Sequence, residues 1–400
     1  MRKLTLSAIA LYVGILSSFS QSTLDSSVYK TKKLTPSEIN FVTGYYHQNG
    51  DHSPVTGGIG TEKLTDIATT IDVKFNKYDK RNLKHDVVFE LGVDHYTSAS
   101  SDKIDPTTIS SASHADTRIY PSLSYSITNE KKGNSIDFIG SFSHEFDYQS
   151  FGAGIGFTKT SKDKNRDFNV KVLAYLDNLK VILPVELRTG NQQGRREKNY
   201  PSASRNSYSS SFSLSQTINK RFDIALLLDL IYQSGYLSTP FHRIYFTNGT
   251  ESNEKLPSSR FKIPIGIRAN YFLGDKVIIR TYYRFYKDDW GLTAHTINIE
   301  IPVKITPFTS VSPFYRFYSQ NGVRYFAPYL IHSVSEAFYT TDDDLSKFNS
   351  SFEGAGIRTA PPHGVFGLKK VNSLEVRYSH YNRTDGLHSD IITLALKFNN

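Results

Sequence analysis

The feature that most constrains the fold is a long run of alternating side chains between Arg260 and Tyr286. Apolar residues occupy every second position, and most positions between them carry Arg, Lys, Asn or Tyr. Gly274 and Asp275 interrupt the alternation and predict a two-residue hairpin turn, because glycine accepts a positive φ. Each arm is at least twice as long as a usual soluble strand of about five or six residues. The pattern predicts a hairpin that crosses an outer membrane, apolar toward lipid and polar toward a lumen.

The same unit recurs along the chain and predicts an all-β fold. We expect a transmembrane antiparallel β-barrel of about 16 strands over residues 37–400. Most connections after odd-numbered strands are long and most after even-numbered strands are short, which predicts long extracellular loops and short periplasmic turns. Exceptions are the short links after the fifth and eleventh strands and the long turn Ala360 to Lys370. A very large soluble β-sandwich is the alternative, but its strands should be shorter.

The N-terminus has the features of a secretory signal. Arg2 and Lys3 precede an apolar run, and Ser18 to Ser20 supplies a small-x-small cleavage site. These features predict a signal peptide over residues 1–20 and a periplasmic tail over residues 21–36. A membrane anchor is the alternative, but the apolar run is short for a spanning helix. The chain has no Cys, so its predicted export requires no disulfide.

The composition agrees with a barrel in the outer membrane of a Gram-negative bacterium. Aromatic residues make up 13% of the chain, with 26 Tyr and 26 Phe, although its mean hydropathy is negative. A barrel allows this combination, because only every second strand residue must be apolar. The net charge is +9, but the basic residues are dispersed and form no recognised motif, so we expect no nucleic acid. We expect outer-membrane lipid and the barrel-insertion machinery as partners. An aromatic residue near the end of the last strand, here Phe398, suits recognition by that machinery.

Charged residues on the predicted polar faces are the candidates for a lumen function. Acids are concentrated on the second and third predicted strands, and arginines on the tenth, eleventh and thirteenth. These charges could create an electric field across a water-filled constriction. They could equally pair with their neighbours and fill space, because polar interiors are general to such barrels. The lumen and selectivity candidates are Asp72, Glu90, Asp94, Arg268, Arg280, Arg284 and Arg316.

Predicted loops carry a second group of candidates. These are Asp51, His52, Gly57, Gly58, Gly60, Asp102, Asp105 and Asp116. The glycines resemble a phosphate loop only in glycine content, since no Lys-Ser/Thr pair and no helix follow them. Loop carboxylates, including Asp342 to Asp344, could bind Ca²⁺, but no EF-hand spacing is present and solvated acids are favoured. We therefore predict neither a metal site nor a cofactor.

No catalytic constellation emerges from the sequence. Asp94 and His95 are adjacent, but neighbouring strand residues point to opposite faces and should not meet. Asp51-His52 and His144-Glu145 are the other acid–imidazole neighbours. No serine lies in a G-x-S-x-G motif. We predict that the protein is not an enzyme.

Three stretches of the chain resemble a known family. They are Asp51 to Asp66, Ser110 to Pro121, and Phe352 to Phe398 with its segment LEVRYSHYNRTDGL. They resemble an exported barrel family of Bacteroidota known mainly as a domain of unknown function, and the resemblance covers nearly the whole mature chain. Pro54 stands where many relatives are expected to carry Ala. Relatives are often encoded beside a thioredoxin-like protein, a small lipoprotein and a flavin transferase, which implies a redox-linked partnership.

Two functional hypotheses follow. The first is a channel for small polar or anionic solutes, because about 16 strands leave room for an aqueous bore. The second is an accessory or scaffold barrel that presents its loops, tail or turns to a lipoprotein or periplasmic partner. The resemblance and the loop Asp51 to Asp66 motivate this second hypothesis.

Overall fold

The computed structural model describes residues 36–97, 115–188 and 200–399. The predicted signal peptide, nearly all of the predicted tail, and the candidates Asp102 and Asp105 lie outside these residues. The strands are β1 Pro36–Asn49, β2 Leu64–Tyr78, β3 Lys84–Thr97, β4 Ala115–Asn129, β5 Asn134–His144, β6 Tyr148–Thr160, β7 Arg166–Lys180, β8 Ser202–Asn219, β9 Phe222–Gly235, β10 Arg243–Tyr245, β11 Glu251–Asn253, β12 Ser259–Leu273, β13 Val277–Asp288, β14 Thr293–Glu300, β15 Val303–Lys304, β16 Thr309–Gln320, β17 Phe348–Thr359, β18 Val371–Arg383 and β19 His388–Asn399. Short 3₁₀ turns occur at Pro54–Thr56, Val185–Leu187, Asp343–Leu345 and Val365–Gly367. Within the described part of the chain, no helix has the length and apolar character needed to cross a membrane.

All strands except the β10–β11 hairpin form one closed antiparallel sheet. The sheet closes because β1 pairs with both β2 and β19. β14 and β15 both lie between β13 and β16, and they are separated by Ile301 and Pro302. Pro302 has no N–H to donate to the ladder, so it interrupts the hydrogen bonding at this point. Because both pieces have the same two neighbours, β14 and β15 count as one interrupted strand. The ring therefore has sixteen positions, which confirms the predicted antiparallel β-barrel.

The two faces of the barrel wall differ as the alternation predicts. Ile67, Ile155 and Ile265 point outward with 48%, 49% and 50% of their surfaces exposed. The alternating positions between such residues point inward and are mostly polar, as Asp66 and Thr70 are on β2. An apolar outer band around a polar interior is the arrangement of a transmembrane barrel.

The β12–β13 hairpin corrects one detail of the sequence analysis. Leu273 pairs directly with Val277, so the turn contains Gly274, Asp275 and Lys276 and has three residues instead of two. Gly274 has a φ of +65°, the left-handed conformation that a glycine adopts without strain. The alternation predicted both strands but did not show that Lys276 belongs to the turn and not to the second strand.

Most of the long strand connections lie at one end of the barrel, although the connection Ala360 to Lys370 is long at the other end. Four of the long connections at the first end include the described residues 50–63, 181–188 with 200–201, 236–258 and 321–347. We call these four segments the cap, and the opposite end the short-turn end. Nearly all of the most deeply buried side chains belong to the cap: Ser53, Ile244, His332, Thr340 and Thr341. Among the described residues, the most deeply buried part is therefore a group of loops at one mouth of the barrel.

Candidate functional site: the lumen and the cap

The acidic candidates form a strip on the lumen side of β2 and β3. Asp72 and Glu90 are direct cross-strand partners, so two carboxylates lie side by side. Asn40 donates to Asp72 with an Nδ2–Oδ2 distance of 2.9 Å, and Tyr120 donates to Asp94 at 2.9 Å. In the described chain none of the three acids forms an ion pair with a Lys, Arg or His. Their negative charge is therefore left for the lumen.

The basic candidates lie on the lumen side of β12, β13 and β16. Arg280 pairs with Glu300 at 3.3 Å, and Arg316 donates to Asn298 at 3.3 Å. Arg268 and Arg316 are exposed to the lumen, and neither forms an ion pair with a carboxylate of the described residues. The Nε atom of Arg284 is buried without a hydrogen-bond partner. Arg284 also borders a lumen cavity of about 120 Å³.

The acidic and basic strips face each other across the ring. β2 and β12 are eight positions apart in the sixteen-position order, and so are β3 and β13. Half of sixteen is eight, so Asp72 lies on the strand opposite Arg268. Glu90 likewise lies on the strand opposite Arg280 and Arg284. The strand order therefore places the acidic and the basic candidates on opposite walls of the bore.

The glycine-rich loop between β1 and β2 forms part of the cap. Gly57, Gly58 and Gly60 have φ values of +86°, +84° and +80°. A Cβ on Gly57 would lie 2.6 Å from the ring of Tyr245, so only glycine allows this approach. His52 lies 4.0 Å from Asp343 at the closest nitrogen–oxygen pair. The loop packs against other loops and forms no helix N-terminus, as the interpretation of a tight loop predicts.

Arg243 shows how the cap joins opposite sides of the barrel. It forms an ion pair with Glu186, which follows β7, and donates to the carbonyl oxygen of Val55, which follows β1. Arg243 belongs to β10, which follows β9 in the chain, and β9 lies eight ring positions from β1. Thr341 in the β16–β17 connection donates to the carbonyl oxygen of Arg243 at 3.0 Å. Contacts between loops from opposite sides require the cap to extend across the mouth.

Lumen-facing side chains at the ends of the strands hold the cap in place. Arg205 on β8 donates to the carbonyl oxygens of Tyr236 and Ser238, both at 2.9 Å. Arg383 on β18 forms ion pairs with Asp344 and Asp385. Sequence analysis did not select Arg383, although it belongs to the RTDG segment within the family-like C-terminal stretch.

Asp116 takes part in a cluster of acids that the sequence did not reveal. It accepts hydrogen bonds from the backbone N–H groups of Thr117 and Phe146, at 2.7 and 3.2 Å. Carboxylate oxygens of Asp116, Glu145 and Asp147 lie within 4.8 Å of one another. Burial, followed by repulsion from the other two acids, raises the pKa of Asp147 to about 6. Asp116 is buried, so it is not the solvated loop acid that was expected.

A second cluster lies inside the cap and was also missed. It contains His242, Glu254 and Asp342, whose ligand-type atoms all lie within 4.8 Å of one another. The expectation that Asp342 is a solvated acid is wrong, because only 21% of its side chain is exposed. Burial is the largest cause that raises the pKa of Asp342. No local pattern could reveal this cluster, because its members come from two connections far apart in the sequence.

Adjacent acid–histidine pairs do not form catalytic dyads. Asp94 points inward to Tyr120, while His95 points outward and contacts Thr117 with an Nδ1–Oγ1 distance of 2.8 Å. His144 contacts Gln149, whereas its neighbour Glu145 accepts from Tyr96. The opposite orientation of consecutive strand residues separates these groups.

Comparison with known proteins identifies a family and a general likeness of fold. The model of the family DUF3570, described as a protein of unknown function, matches residues 95–386, well over half of the chain. The family-like stretch Asp51 to Asp66 lies outside this match. A search of the curated proteins found no match.

Solved structures of outer-membrane proteins match over most of the chain at low identity. OpdK of Pseudomonas aeruginosa, crystallised with vanillate, is 7% identical with a TM-score of 0.40, over 90% of this chain and 98% of that one. A BenF-like porin from Pseudomonas fluorescens Pf-5 is 9% identical with a TM-score of 0.44, over 92% and 100%. The ferric enterobactin receptor PfeA of Pseudomonas aeruginosa is 11% identical with a TM-score of 0.47, over 88% and 54%, so this chain spans about half of that receptor. The likeness concerns the fold alone.

Proposed function

The chain belongs to the DUF3570 family, whose description assigns no reaction, and we propose that it is an outer-membrane channel for small polar or anionic solutes. The observation that carries the proposal is the pair of opposite strips in the lumen. Asp72 and Glu90 lie on strands opposite Arg268 and Arg284, and Arg268 is water-exposed and free of carboxylate partners within the described residues. A lumen that served only as packing would pair or bury such charges, because an uncompensated charge is costly away from water.

The opposed charges supply a mechanism for selecting solutes. Walls of low dielectric constant focus the field between two charged strips and raise the local concentration of matching solutes. Salt screens this field over about 8 Å at physiological ionic strength, so selectivity should be strongest at low salt. The exposed Arg268 and Arg316 would attract anions, and the acidic strip would orient dipolar solutes that enter beside them.

Ion selectivity in planar lipid bilayers tests this function. Wild-type protein should give discrete conductance steps. The double variant Arg268→Ser with Arg284→Ser should remain folded, because lumen substitutions tune selectivity while lipid-facing charges are the destabilising ones. Its reversal potential in a salt gradient should move toward cation selectivity, most clearly at low salt.

A matched control removes two positive charges outside the lumen. Lys220 and Arg221 form the short turn between β8 and β9, and the double variant Lys220→Ser with Arg221→Ser has the same change in net charge. Its reversal potential should stay near the wild-type value. A wild-type barrel that never conducts, or a lumen variant that conducts with unchanged selectivity, contradicts the channel proposal.

The cap supports a second candidate, an accessory or scaffold barrel in a multiprotein outer-membrane complex. Its loops form a packed surface around Ile244 and His332, which are 0% and 1% exposed, and such a preorganised surface suits protein recognition. The family resemblance adds the expectation of a lipoprotein or a redox-linked thioredoxin-like partner. Purification in a mild detergent separates the candidates, since a lone barrel favours the channel and a stoichiometric partner favours the scaffold.

A further inference from the structure

The cap contains a buried cluster that the channel proposal does not use. His242 and Glu254 flank the β10–β11 hairpin, and Asp342 belongs to the connection between β16 and β17. His242 is 8% exposed and Glu254 is 2% exposed. The Nδ1 atom of His242 is buried and has no hydrogen-bond partner. A buried polar atom without a partner is rare and requires a physical explanation.

The distances around this atom are too long for hydrogen bonds to the two acids. His242 Nδ1 lies 3.5 Å from Glu254 Oε1 and 3.9 Å from Asp342 Oδ2. Charge-assisted hydrogen bonds between such groups are usually about 2.7–2.9 Å long. Two ligand atoms that each lie about 2.0–2.2 Å from one ion are at most about 4.4 Å apart, and both measured separations from His242 are within this limit. The third ligand-type separation is within 4.8 Å, so the three groups converge on one small space.

Hydrogen bonds from outside the cluster position both acids. Glu254 Oε2 accepts from the backbone N–H of Thr239 at 2.6 Å, and Oε1 accepts from the hydroxyl of Thr340 at 2.5 Å. Asp342 Oδ1 accepts from the backbone N–H of Asp344 at 3.0 Å, which leaves Oδ2 to face His242. Supporting bonds of this kind orient metal-binding carboxylates in proteins.

The cluster also lacks a positive charge that would compensate its acids. In the described residues no lysine or arginine forms an ion pair with Glu254 or Asp342. The nearby arginines are already engaged, since Arg243 pairs with Glu186 and Arg383 pairs with Asp344 and Asp385. Two largely buried carboxylates without a cation cost free energy unless a further positive charge is present.

We propose that His242, Glu254 and Asp342 bind a divalent transition-metal ion such as Zn²⁺ or Mn²⁺. One imidazole nitrogen with two carboxylate oxygens suits these ions, whereas Ca²⁺ prefers oxygen ligands alone. Three protein ligands leave at least one coordination position for water. The ion would connect the β9–β12 connection to the β16–β17 connection and so fasten the cap across the mouth.

A protonated His242 is the competing source of positive charge. Burial, the largest single influence, lowers the pKa of His242, but Glu254 and Asp342 outweigh it and raise the pKa above its usual value. A metal ion and this proton compete for the same nitrogen, so binding of the ion should release a proton. A direct binding measurement separates the two possibilities, because a cluster neutralised only by the His242 proton would retain no metal ion.

Equilibrium dialysis of the purified mature barrel, without a histidine tag and after EDTA treatment, tests the site. Zn²⁺, Mn²⁺ and Ca²⁺ are offered separately, and bound metal is counted by elemental analysis. We expect one Zn²⁺ or Mn²⁺ per barrel and no stoichiometric Ca²⁺. His242→Ala and Asp342→Asn should each weaken affinity at least about 10-fold, since even supporting residues of metal sites contribute that much.

The matched control is Asp343→Asn, which removes the neighbouring acid of the same connection. Asp343 faces His52 and lies outside the cluster, so its variant should bind metal like the wild type. Heat-modified migration in gels confirms that each variant is a folded barrel. Folded wild-type protein that retains no Zn²⁺ or Mn²⁺, binding of Ca²⁺ instead, or an equal loss in Asp343→Asn overturns the proposal. Conductance does not enter the measurement, so this result is independent of the channel proposal.

Discussion

The arginines of the cap end and those deeper in the lumen have opposite environments. Near the cap, the side chains of Arg243, Arg260 and Arg383 are only 6%, 12% and 4% exposed, and each is ion-paired. Deeper in the lumen, Arg268 and Arg316 are exposed and have no carboxylate partner within the described chain. The same residue type thus serves two purposes in one barrel.

This contrast separates charges that maintain the fold from charges that can act on a solute. A buried arginine that is fully paired contributes little field at a distance, but removing it leaves buried acids uncompensated. An exposed and unpaired arginine adds little to stability, and its field reaches the solvent that fills the bore. Stability should therefore depend on the cap arginines, and selectivity on the lumen arginines.

The largest expected effect comes from Arg383. It pairs with Asp344 and Asp385 and its guanidinium lies 3.9 Å above the ring of Phe348. Because the side chain of Asp385 is only 14% exposed, Arg383→Ala should lower the free energy of unfolding by about 3 kcal/mol, the usual cost of breaking a buried pair from one side. Urea unfolding of the barrel in lipid vesicles measures this loss.

Arg268→Ala is the matched variant from the lumen. It should change the free energy of unfolding by less than about 0.5 kcal/mol, as surface substitutions do. If both variants lose the same stability, the distinction between the two groups of arginines is wrong.

A smaller effect is expected from Glu300, which holds two lumen arginines. It lies 3.3 Å from Arg280 and 3.0 Å from Arg377, measured between the closest charged atoms. Glu300→Gln should release Arg280, while Arg377 keeps its ion pair with Glu375, and should move the reversal potential toward anion selectivity. Because Arg280 is 48% exposed, the cost in stability should stay below about 1 kcal/mol.

Bilayer recordings at low salt, with the double variant Arg268→Ser and Arg284→Ser as a reference of opposite sign, measure this shift. If a conducting Glu300→Gln barrel keeps the wild-type reversal potential, Arg280 and Arg377 belong with the arginines that maintain the fold.

The sequence predicts the wall of the barrel far better than the cap. A strand produces a local sequence pattern, because side chains on one face of the sheet recur at every second residue. The alternation predicted between Arg260 and Tyr286 therefore coincides with β12 and β13. The assignment of Asp72 and Glu90 to the inner face followed from the same alternation, although their role in selectivity remains a prediction.

The cap depends on contacts between distant segments, which leave no periodic pattern. The short hairpin of β10 and β11 was missed, as was the ion pair between Arg243 and Glu186. Asp342 was expected to be solvated because it lies in a predicted loop whose acids have no EF-hand spacing. Its burial follows from packing against His242 and Glu254, which no spacing in the sequence connects to it.

The last prediction concerns pH and Glu62, a cap residue beside Arg383. Burial is the largest influence, and repulsion from Asp344 adds to it, so the pKa of Glu62 rises to about 8. The folded state thus keeps a proton that the unfolded state loses above its ordinary pKa of 4.5. This group's contribution to stability is complete below pH 4.5 and is lost as the pH rises to about 8.

Proteolysis of the cap between pH 5 and pH 8, with EDTA present throughout, tests this pH dependence. Cleavage should accelerate with pH in the wild type, after correction for protease activity on a pH-insensitive substrate. Glu62→Gln should remove part of the acceleration, because the pKa values of Asp342 and Asp343 are also raised and their ionisation acts in the same direction. Arg383 opposes the ionised acids, so Arg383→Ala should steepen the dependence. If Glu62→Gln keeps the full wild-type slope, the pH response belongs to the other cap acids, and Glu62 does not contribute to the structural role of the cap charges.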